Sequence, residues 1–177
     1  MKAEGAHVSF ELQPRLENQW IKLEPLGAGD FEALYAVASD PLIWEQHPSN
    51  DRYQREVFRR FFEDAIESGG AFRIHDNTNG TLIGSSRYYD LEESTRTVLI
   101  GYTFLCRQVW GGPYNRALKT LMLDHAFKFV DRAIFHVGAT NFRSRRAMEK
   151  LGGTLIGEHS NHNVIYKIDK ADWLHLR

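Results

Sequence analysis

The stretch 98–146 contains the residue types and spacings best suited to chemistry. It reads as an apolar strand (98–105), a glycine-rich turn (110–115) and a long helix (about 115–130). A strand, a glycine turn and a helix start often bind a phosphate, because backbone N–H groups and the positive end of the helix dipole face the same anion. The turn therefore predicts an anion site, and a helix-start turn that binds nothing is the alternative.

A second strand and helix follow this turn. Residues 133–137 are continuously apolar, which predicts a buried strand, and Asn141 then opens a helix that the pair Gly152-Gly153 ends. Asn141 is a good N-cap, because its side-chain oxygen can accept a hydrogen bond from the first helical turn. Ser144 lies in that first turn, where a polar residue is ordinary.

The rest of the chain predicts the elements that must position these residues. Alternating or continuous apolar patterns predict strands, and apolar residues at helical spacing predict helices. The run Asn77-Thr-Asn-Gly80 predicts a hairpin turn between two of the strands. The predicted strands are 20–26, 71–75, 81–89, 98–105, 133–137, 154–158 and 164–168, and the predicted helices start at Asp30 and span about 51–68, 115–130 and 141–151.

Composition limits the classes of function. A chain of 177 residues with 42% hydrophobic and 25% charged residues predicts one soluble domain, with residues 1–18 as a loose arm or a short strand around 8–12. The formal net charge of −1 creates no overall field for nucleic acid, so an anion must be bound by local geometry.

Cysteine usage and hydropathy predict the location. The single cysteine, Cys106, excludes an intrachain disulfide and favours a reducing compartment. The sequence has neither the apolar core of a signal peptide nor a membrane-spanning run, so we expect a cytoplasmic protein without a membrane partner. The eight histidines have no convincing metal-ligand spacing, and no metal is expected.

The order of elements and three motifs together resemble the GNAT superfamily of acyl-CoA-dependent N-acyltransferases. The closer resemblance is to the Rim-type branch, which acetylates protein N-termini and small amines. The motifs are Ile-Gly-Tyr-Thr-Phe-Leu at 100–105, Trp110-Gly-Gly, and the helix in which Ser144, Lys150 and Gly152 follow Asn141. The resemblance extends over residues 20–173. It implies an α/β (α+β) fold with a mixed central sheet of about seven strands flanked by helices.

The resemblance also implies how acetyl-CoA would bind. In the family, two parallel strands splay apart to admit the pantetheine arm, and the strands 98–105 and 133–137 correspond to them. Backbone groups of the central strand and of the turn would bind the pantetheine and the pyrophosphate, and Asn141 would contact the pantetheine. The implied cofactor-binding residues are Phe104, Leu105, Cys106, Gly111, Gly112, Tyr114, Asn115, Arg116, Asn141 and Ser144.

The turn departs from the usual family pattern at two positions. Pro113 has no N–H, which removes one phosphate donor. Asn115 replaces a small residue, and it could cap the helix or adopt a left-handed backbone. The basic run Arg143, Arg145 and Arg146 is either a solvated face or a contact for the 3′-phosphate of CoA.

Catalysis by direct transfer needs a deprotonated amine and a protonated leaving thiolate. The resemblance makes Ser144 the candidate acid near the sulfur. Many superfamily members use a tyrosine where this chain has Met148, and the branch often has a glutamate where this chain has Leu99. The substitute bases are Glu92, Glu93 and His136, or a water chain, although His136 could equally be a buried, hydrogen-bonded histidine, and Cys106 reads as a packing residue.

The resemblance predicts acetyl-CoA and an amine acceptor as ligands, and pairing through sheet edges as a homodimer. The acceptor would bind opposite the CoA, near Trp44, His47, Tyr88, Tyr89 and residues 159–163. The expected activity is acetyl transfer to a primary amine. The alternatives are a protein of the same fold that binds or senses acyl-CoA with little turnover, and a partner-binding module without a ligand.

Overall fold

The computed structural model describes residues 8–159 and 162–176, which form one eight-stranded mixed sheet between two layers of helices. The predicted mixed sheet flanked by helices is confirmed, with eight strands in place of about seven. The strands are β1 (Leu16–Glu17), β2 (Ile21–Pro25), β3 (Ala71–Asp76), β4 (Leu82–Glu92), β5 (Thr97–Leu105), β6 (Arg132–Gly138), β7 (Thr154–His159) and β8 (Asn163–Asp169).

Five helices accompany this sheet in the described part of the chain. They are α1 (Phe31–Ala38), α2 (Arg55–Ser68), α3 (Tyr114–Ala126), α4 (Phe142–Leu151) and α5 (Lys170–His175). None of these helices combines the length and the apolar character needed to cross a membrane. The strand order is β1-β2-β3-β4-β5-β6-β8-β7, and among these described strands only β5 and β6 are parallel neighbours.

The boundaries of some elements differ from the predicted ones. Helix α2 begins at Arg55, because residues 51–54 form a separate turn closed by the Gln54 N–H on the Asp51 carbonyl. Helix α3 ends at Ala126, four residues before the predicted end, and β4 continues to Glu92. Apolar spacing identified these elements but did not determine where each hydrogen-bond ladder stops.

The predicted strand around 8–12 is absent from the structure, although its residues are packed. The Phe10 ring contacts Tyr88, His125 and Phe129 at centroid distances of 5.1–5.6 Å. The described part of the predicted loose arm is therefore held against the core, and residues 1–7 lie outside the described residues.

Each face of the sheet buries its own apolar layer. One layer joins the sheet to α3, α4 and α5, with Leu118, Met122 and Phe135 at its centre. The other joins it to α1 and α2 and is dominated by the aromatic side chains of Trp44, Phe58, Phe61, Phe62 and Phe104. Burial of each such side chain contributes roughly 1.5–3 kcal/mol, so both layers hold the sheet rigidly.

The feature that positions the site is the divergence of β5 from β6. Their parallel pairing runs from Thr97 opposite Arg132 to Leu99 opposite Ile134 and then stops. Beyond it, β5 continues to Leu105 and β6 to Gly138 without facing each other in the ladder. The predicted splayed parallel strands are therefore present, and an opening lies between them at the centre of the sheet.

A β-bulge shapes the β5 side of this opening. Ser85 pairs with Phe104 and Arg87 with Gly101, so β5 has one extra residue between these pairs. Tyr102 lies in the bulge with φ +51°, a conformation that costs about 1–3 kcal/mol for a residue other than glycine. The bulge directs Tyr102 toward the α2 layer, where it contacts Phe61.

Candidate active site

The opening between β5 and β6 is bordered by the glycine turn that leads into α3. The Trp110 indole N–H donates to the Leu105 carbonyl across 2.9 Å, which fixes the turn to the end of β5. Gly111 has φ +75°, where a side chain would introduce strain. Gly111 and Gly112 are exposed, so their backbone is accessible to a ligand.

The start of α3 offers backbone donors beside this turn. The first helical hydrogen bond runs from the Ala117 N–H to the Pro113 carbonyl, at 2.9 Å. The N–H groups of Tyr114, Asn115 and Arg116 precede that bond and have no acceptor inside the helix. Three donors at the positive end of a 13-residue helix suit a pyrophosphate.

The structure corrects the expectation for Asn115. Asn115 neither caps α3 nor adopts a left-handed backbone, because Pro113 is the N-cap and Gly111 has the positive φ. Asn115 is the second residue of α3, so what it offers at the helix start is its backbone N–H. Pro113, as the N-cap residue, accepts the first helical hydrogen bond with its carbonyl. The N–H that proline lacks is therefore not needed to start α3.

Two side chains brace this turn from outside. The Tyr114 hydroxyl donates to Asp76 across 3.1 Å. The Arg116 guanidinium donates to the Lys150 carbonyl across 3.3 Å, which ties the start of α3 to the end of α4. Both side chains hold the backbone donors in place.

Much of the backbone at residues 105–106 already has partners. The Cys106 N–H donates to Ile83 (2.7 Å), the Cys106 carbonyl accepts from Val109 (3.2 Å), and the Leu105 carbonyl accepts from Trp110. The edge of β5 that has lost its neighbour β6 begins after Leu99. Burial raises the pKa of Cys106, so its thiol keeps its proton at neutral pH.

The start of α4 lies at the β6 side of the opening. Asn141 is 5% exposed, and its side-chain oxygen accepts from the Ser144 N–H across 3.3 Å, as the predicted N-cap should. In residues 8–159 and 162–176, no acceptor is found for the Asn141 amide group. Asn141 can therefore cap α4 with its oxygen and donate to a ligand with its nitrogen.

Arg143 clamps α4 to the turn and to the loop before α2. Its guanidinium lies 3.6 Å from the centroid of the Trp110 ring and donates to the Ile43 carbonyl across 3.4 Å. Arg145 donates to Ala139 and Tyr166. Two of the three basic residues thus have structural contacts, and Arg146 is exposed.

The loop of residues 41–54 covers the opening on its α2 side. At the β6 end, a Cβ added to Gly138 would lie 2.7 Å from Pro48, so the loop touches the strand directly. At the β5 end, the Arg52 guanidinium lies 5.9 Å from the Tyr102 ring. The loop thus contacts both diverging strands.

His136 lies on the diverging part of β6. Phe135 and Val137 point into the α3 layer, so His136 points to the α2 side, like Tyr102 on β5. Its ring stacks on His159 at a centroid distance of 4.3 Å. Burial, with a smaller contribution from His159, lowers the pKa of His136, so its imidazole is neutral at pH 7 and can accept a proton.

Two predicted site residues lie elsewhere. Glu93 is in the turn between β4 and β5, at the paired end of the strands, and lines a surface hollow with Arg96 and Phe129. It is not brought together with Ser144 or His136. Tyr88 faces α3 and donates to the Met122 carbonyl, so it does not lie with the other residues predicted to surround the acceptor.

Lys119 is a buried amine beneath the opening that the sequence analysis missed. It is 6% exposed, donates to the Thr103 hydroxyl across 2.7 Å, and lies 5.6 Å from the Phe135 ring. Thr103 in turn shares a hydrogen bond of 2.8 Å with Ser86. Burial lowers the pKa of Lys119 to about 7.

Arg52 and Arg87 were also missed by the sequence analysis. Arg87 carried a weak signal, because it is a charged residue in the middle of a long predicted strand. Lys119 and Arg52 carried none, since helix and loop positions commonly hold basic residues. Within residues 8–159 and 162–176, no group of three or more His, Cys, Asp or Glu side chains could hold a metal ion.

Comparison with known proteins decides the family. The model of the acetyltransferase (GNAT) domain matches residues 21–154. The chain belongs to the GNAT acetyltransferase family. GNAT acetyltransferases use acetyl-CoA as co-substrate, and the splayed strands with the open helix start suit it. Comparison with curated proteins gives no match for this chain.

Three solved structures illustrate the shared fold. A GCN5-related N-acetyltransferase from Brucella melitensis is 19% identical with a TM-score of 0.80, covering 95% of this chain and 84% of its own. A GNAT-family acetyltransferase from Bacillus anthracis is 20% identical with a TM-score of 0.74, and the match covers 89% of this chain and 99% of the other. Spermidine N-acetyltransferase from Vibrio cholerae, solved with CoA and spermine, is 16% identical with a TM-score of 0.69, covering 89% and 99%.

The buried Lys119 predicts a pH dependence of stability. Between its folded pKa of about 7 and its ordinary value of 10.5, the unfolded chain binds a proton that the folded chain lacks, so the free energy of unfolding rises with pH in this window. At pH 7 or below, Lys119→Met should raise the free energy of unfolding by about 1–3 kcal/mol. The gain should shrink toward pH 10.

Chemical denaturation of both proteins from pH 6.5 to 10 checks this prediction. The control is Lys128→Met, which removes an exposed lysine from the segment after α3 and should leave the pH profile unchanged. Parallel profiles for wild type and Lys119→Met would contradict the buried, readily deprotonated amine.

Proposed function

We propose that this protein is an acetyl-CoA-dependent N-acetyltransferase that moves the acetyl group to a primary amine by direct attack. The observation that carries the proposal is the opening after Leu99 and Ile134, which has the donors of the α3 start at one border and Asn141 at the other. This arrangement matches a ligand with a pyrophosphate, an amide-bearing arm and a reactive end.

In our proposal, different parts of the CoA bind to different sides of the opening. The N–H groups of Tyr114, Asn115 and Arg116 bind the pyrophosphate, and Gly111 and Gly112 let it approach the backbone. The pantetheine arm pairs with the edge of β5 that begins after Leu99 and extends to Phe104. The Asn141 amide donates to a pantetheine carbonyl.

Two side chains near the reactive end are proposed to move protons. The amine nitrogen attacks the thioester carbonyl carbon, the C–N bond forms and the C–S bond breaks. His136, neutral and on the acceptor side, takes the proton that the amine loses. The Ser144 hydroxyl donates a proton to the leaving sulfur and regains one from solvent, to which His136 releases the proton that it took. Glu93 has no place in this mechanism because it lies at the far end of β5.

A second function uses the same pocket without turnover. Met148 is buried in the core, and Leu99 is the last residue of β5 that pairs with β6. Neither side chain can act as an acid or a base. A protein that only senses or sequesters acyl-CoA would bind the ligand and release no thiol. The Rim-type resemblance favours a protein N-terminus or a small amine as acceptor, and sheet-edge pairing as a homodimer stays a proposal.

Substitution of Asn141 tests the cofactor assignment. Asn141→Asp keeps an oxygen that can cap α4 but removes the amide donor, so we expect weaker acetyl-CoA binding at nearly unchanged stability. Asn141→Ala loses the cap as well, and the free energy of unfolding should fall by about 1 kcal/mol. Calorimetric titration with acetyl-CoA and with CoA, together with chemical denaturation, measures both effects.

We expect the dissociation constant to rise roughly tenfold in both variants, the value of one net hydrogen bond in a buried site. A wild-type constant in Asn141→Asp would remove the amide from the pantetheine. If the wild-type protein fails to bind at millimolar acetyl-CoA, the proposed function itself is wrong.

Thiol release with a panel of primary amines tests the proton transfers. We expect Ser144→Ala and His136→Gln to lower kcat by roughly 10²-fold each while the dissociation constant of CoA stays within about twofold. Because His136 acts as a base only when neutral, the wild-type rate should fall at acidic pH, and His136→Gln should lose that dependence on the same amine.

The matched control is His175→Gln, which removes an exposed histidine in α5 and should keep wild-type turnover. Wild-type turnover in Ser144→Ala would exclude Ser144 as the acid. Tight acetyl-CoA binding with no thiol release on any amine would instead support the sensing function.

A further inference from the structure

Two arginines share one pair of aromatic rings at the α2 side of the opening. The Arg52 guanidinium lies 4.7 Å from the centroid of the Phe61 ring and 5.9 Å from that of Tyr102. The Arg87 guanidinium lies 5.6 Å and 4.0 Å from the same two rings. Tyr89 contacts Tyr102 edge to face at 4.9 Å. We call these five residues the cationic cluster.

In the part of the chain that the structure describes, neither arginine of the cationic cluster has a carboxylate partner. Within residues 8–159 and 162–176, no ion pair of 4.0 Å or less includes Arg52 or Arg87. Asp51 and Asp64 act on them only from a longer distance. Some other arginines, such as Arg55, Arg96 and Arg107, pair with carboxylates, and some, such as Arg143, pair with no described carboxylate.

The missing carboxylate partner costs the most free energy at Arg87, because this arginine is buried. It is 5% exposed, and among the described residues its Nε has no hydrogen-bond partner and its guanidinium donates only to the Phe61 carbonyl, at a long distance of 3.5 Å. A buried guanidinium without a counter-charge destabilises a fold, and the like charge of Arg52 adds to the cost. Such a pair is stabilised when an anion binds between them.

His47, which lies beside the cationic cluster, neither adds a positive charge to it nor neutralises the charges of the two arginines. His47 Nδ1 accepts from the Ser49 N–H across 2.9 Å, and its Nε2 lies 3.4 Å from Arg52. Burial, with a smaller contribution from Arg52, lowers the pKa of His47 to about 4. The imidazole is therefore neutral at pH 7, and the two guanidinium charges of the cationic cluster remain.

The cationic cluster lies where the acceptor is expected. Tyr102 is in the diverging part of β5, and His136 is in the diverging part of β6 on the same side of the sheet. The loop of residues 41–54 spans both strands and presents Arg52 toward Tyr102. An acceptor whose amine approaches His136 can thus place another group against Arg52 and Arg87.

We propose that the acceptor is a small primary amine that also bears an anionic group, a carboxylate or a phosphate, which binds between Arg52 and Arg87. This inference rests on the proposed function, because it names the substrate class of the same site. Guanidinium groups bind both kinds of oxyanion through paired, charge-assisted hydrogen bonds. A polycationic acceptor, such as the spermine in the Vibrio cholerae structure, would be repelled by the cationic cluster.

Matched amine pairs test the substrate class. One series compares ω-amino acids of increasing length with their carboxamides, and a second compares ω-aminoalkyl phosphates with the corresponding amino alcohols. Within each pair only the anionic charge changes at nearly constant size. We expect kcat/KM for the anionic member to exceed that of its neutral partner by about tenfold or more. The preferred series identifies the anion.

Substitutions locate the preference in the cationic cluster. Arg52→Gln, on the loop, should reduce the ratio of kcat/KM for the anionic acceptor to kcat/KM for its neutral partner about tenfold or more. Arg87→Lys keeps a charge but loses the planar fork, and should reduce the preference less. The control is Arg59→Gln, which removes an arginine of α2 that lies over Phe31, outside the cationic cluster, and should keep the wild-type preference.

Binding is measured separately from turnover, so that the two proposals fail in different ways. Calorimetry of each amine against the protein saturated with CoA should give tighter binding of the anionic member, and this difference should be lost in Arg52→Gln. Equal binding and equal kcat/KM for charged and neutral members would overturn the anionic acceptor while the acetyltransferase activity stands. Selective binding of the anionic amines without thiol release would overturn the proposed function while the anion site stands.

Discussion

The structure depends on one interruption of hydrogen bonding, the end of the β5–β6 ladder at Leu99 and Ile134. Backbone groups in the middle of a sheet must have partners, so an interruption there is stable only if other groups replace the missing strand. The Trp110 indole replaces part of it at Leu105, and the turn into α3 is fixed by the same bond. The remaining edge of β5 is the surface on which we place the pantetheine.

The two faces of the interruption have different chemistry. Toward α3, Lys119, Thr103 and Ser86 form a closed chain of hydrogen bonds inside the apolar layer. Toward α2, the bulge at Tyr102 gathers two guanidinium groups and several aromatic rings under the loop of residues 41–54. In our proposal, the cofactor side is therefore built mainly from backbone groups and the acceptor side from side chains.

Local patterns predicted the parts of this site that local interactions determine. Asn141 caps α4 because a short amide side chain before a helix does so in most contexts, and the apolar runs predicted both diverging strands. Glu93 is a candidate base in the sequence because it lies in the loop before the central strand, but this β4–β5 turn is at the paired end of the strands. Tyr88 and Tyr89 are adjacent yet face opposite layers, and only the register of β4 decides which one meets the acceptor side. The pairing of Arg52 with Arg87 joins a loop to a strand and has no local pattern.

Amide hydrogen exchange of the protein with and without acetyl-CoA measures directly whether the backbone groups beside the opening bind the ligand. We predict slower exchange in peptides covering residues 100–105 and 111–117 when acetyl-CoA is added, since these amides gain partners or are shielded by the ligand. Peptides of β2 and β3, away from the opening, serve as the internal reference. Unchanged exchange in both segments at saturating acetyl-CoA would contradict binding in the opening between β5 and β6.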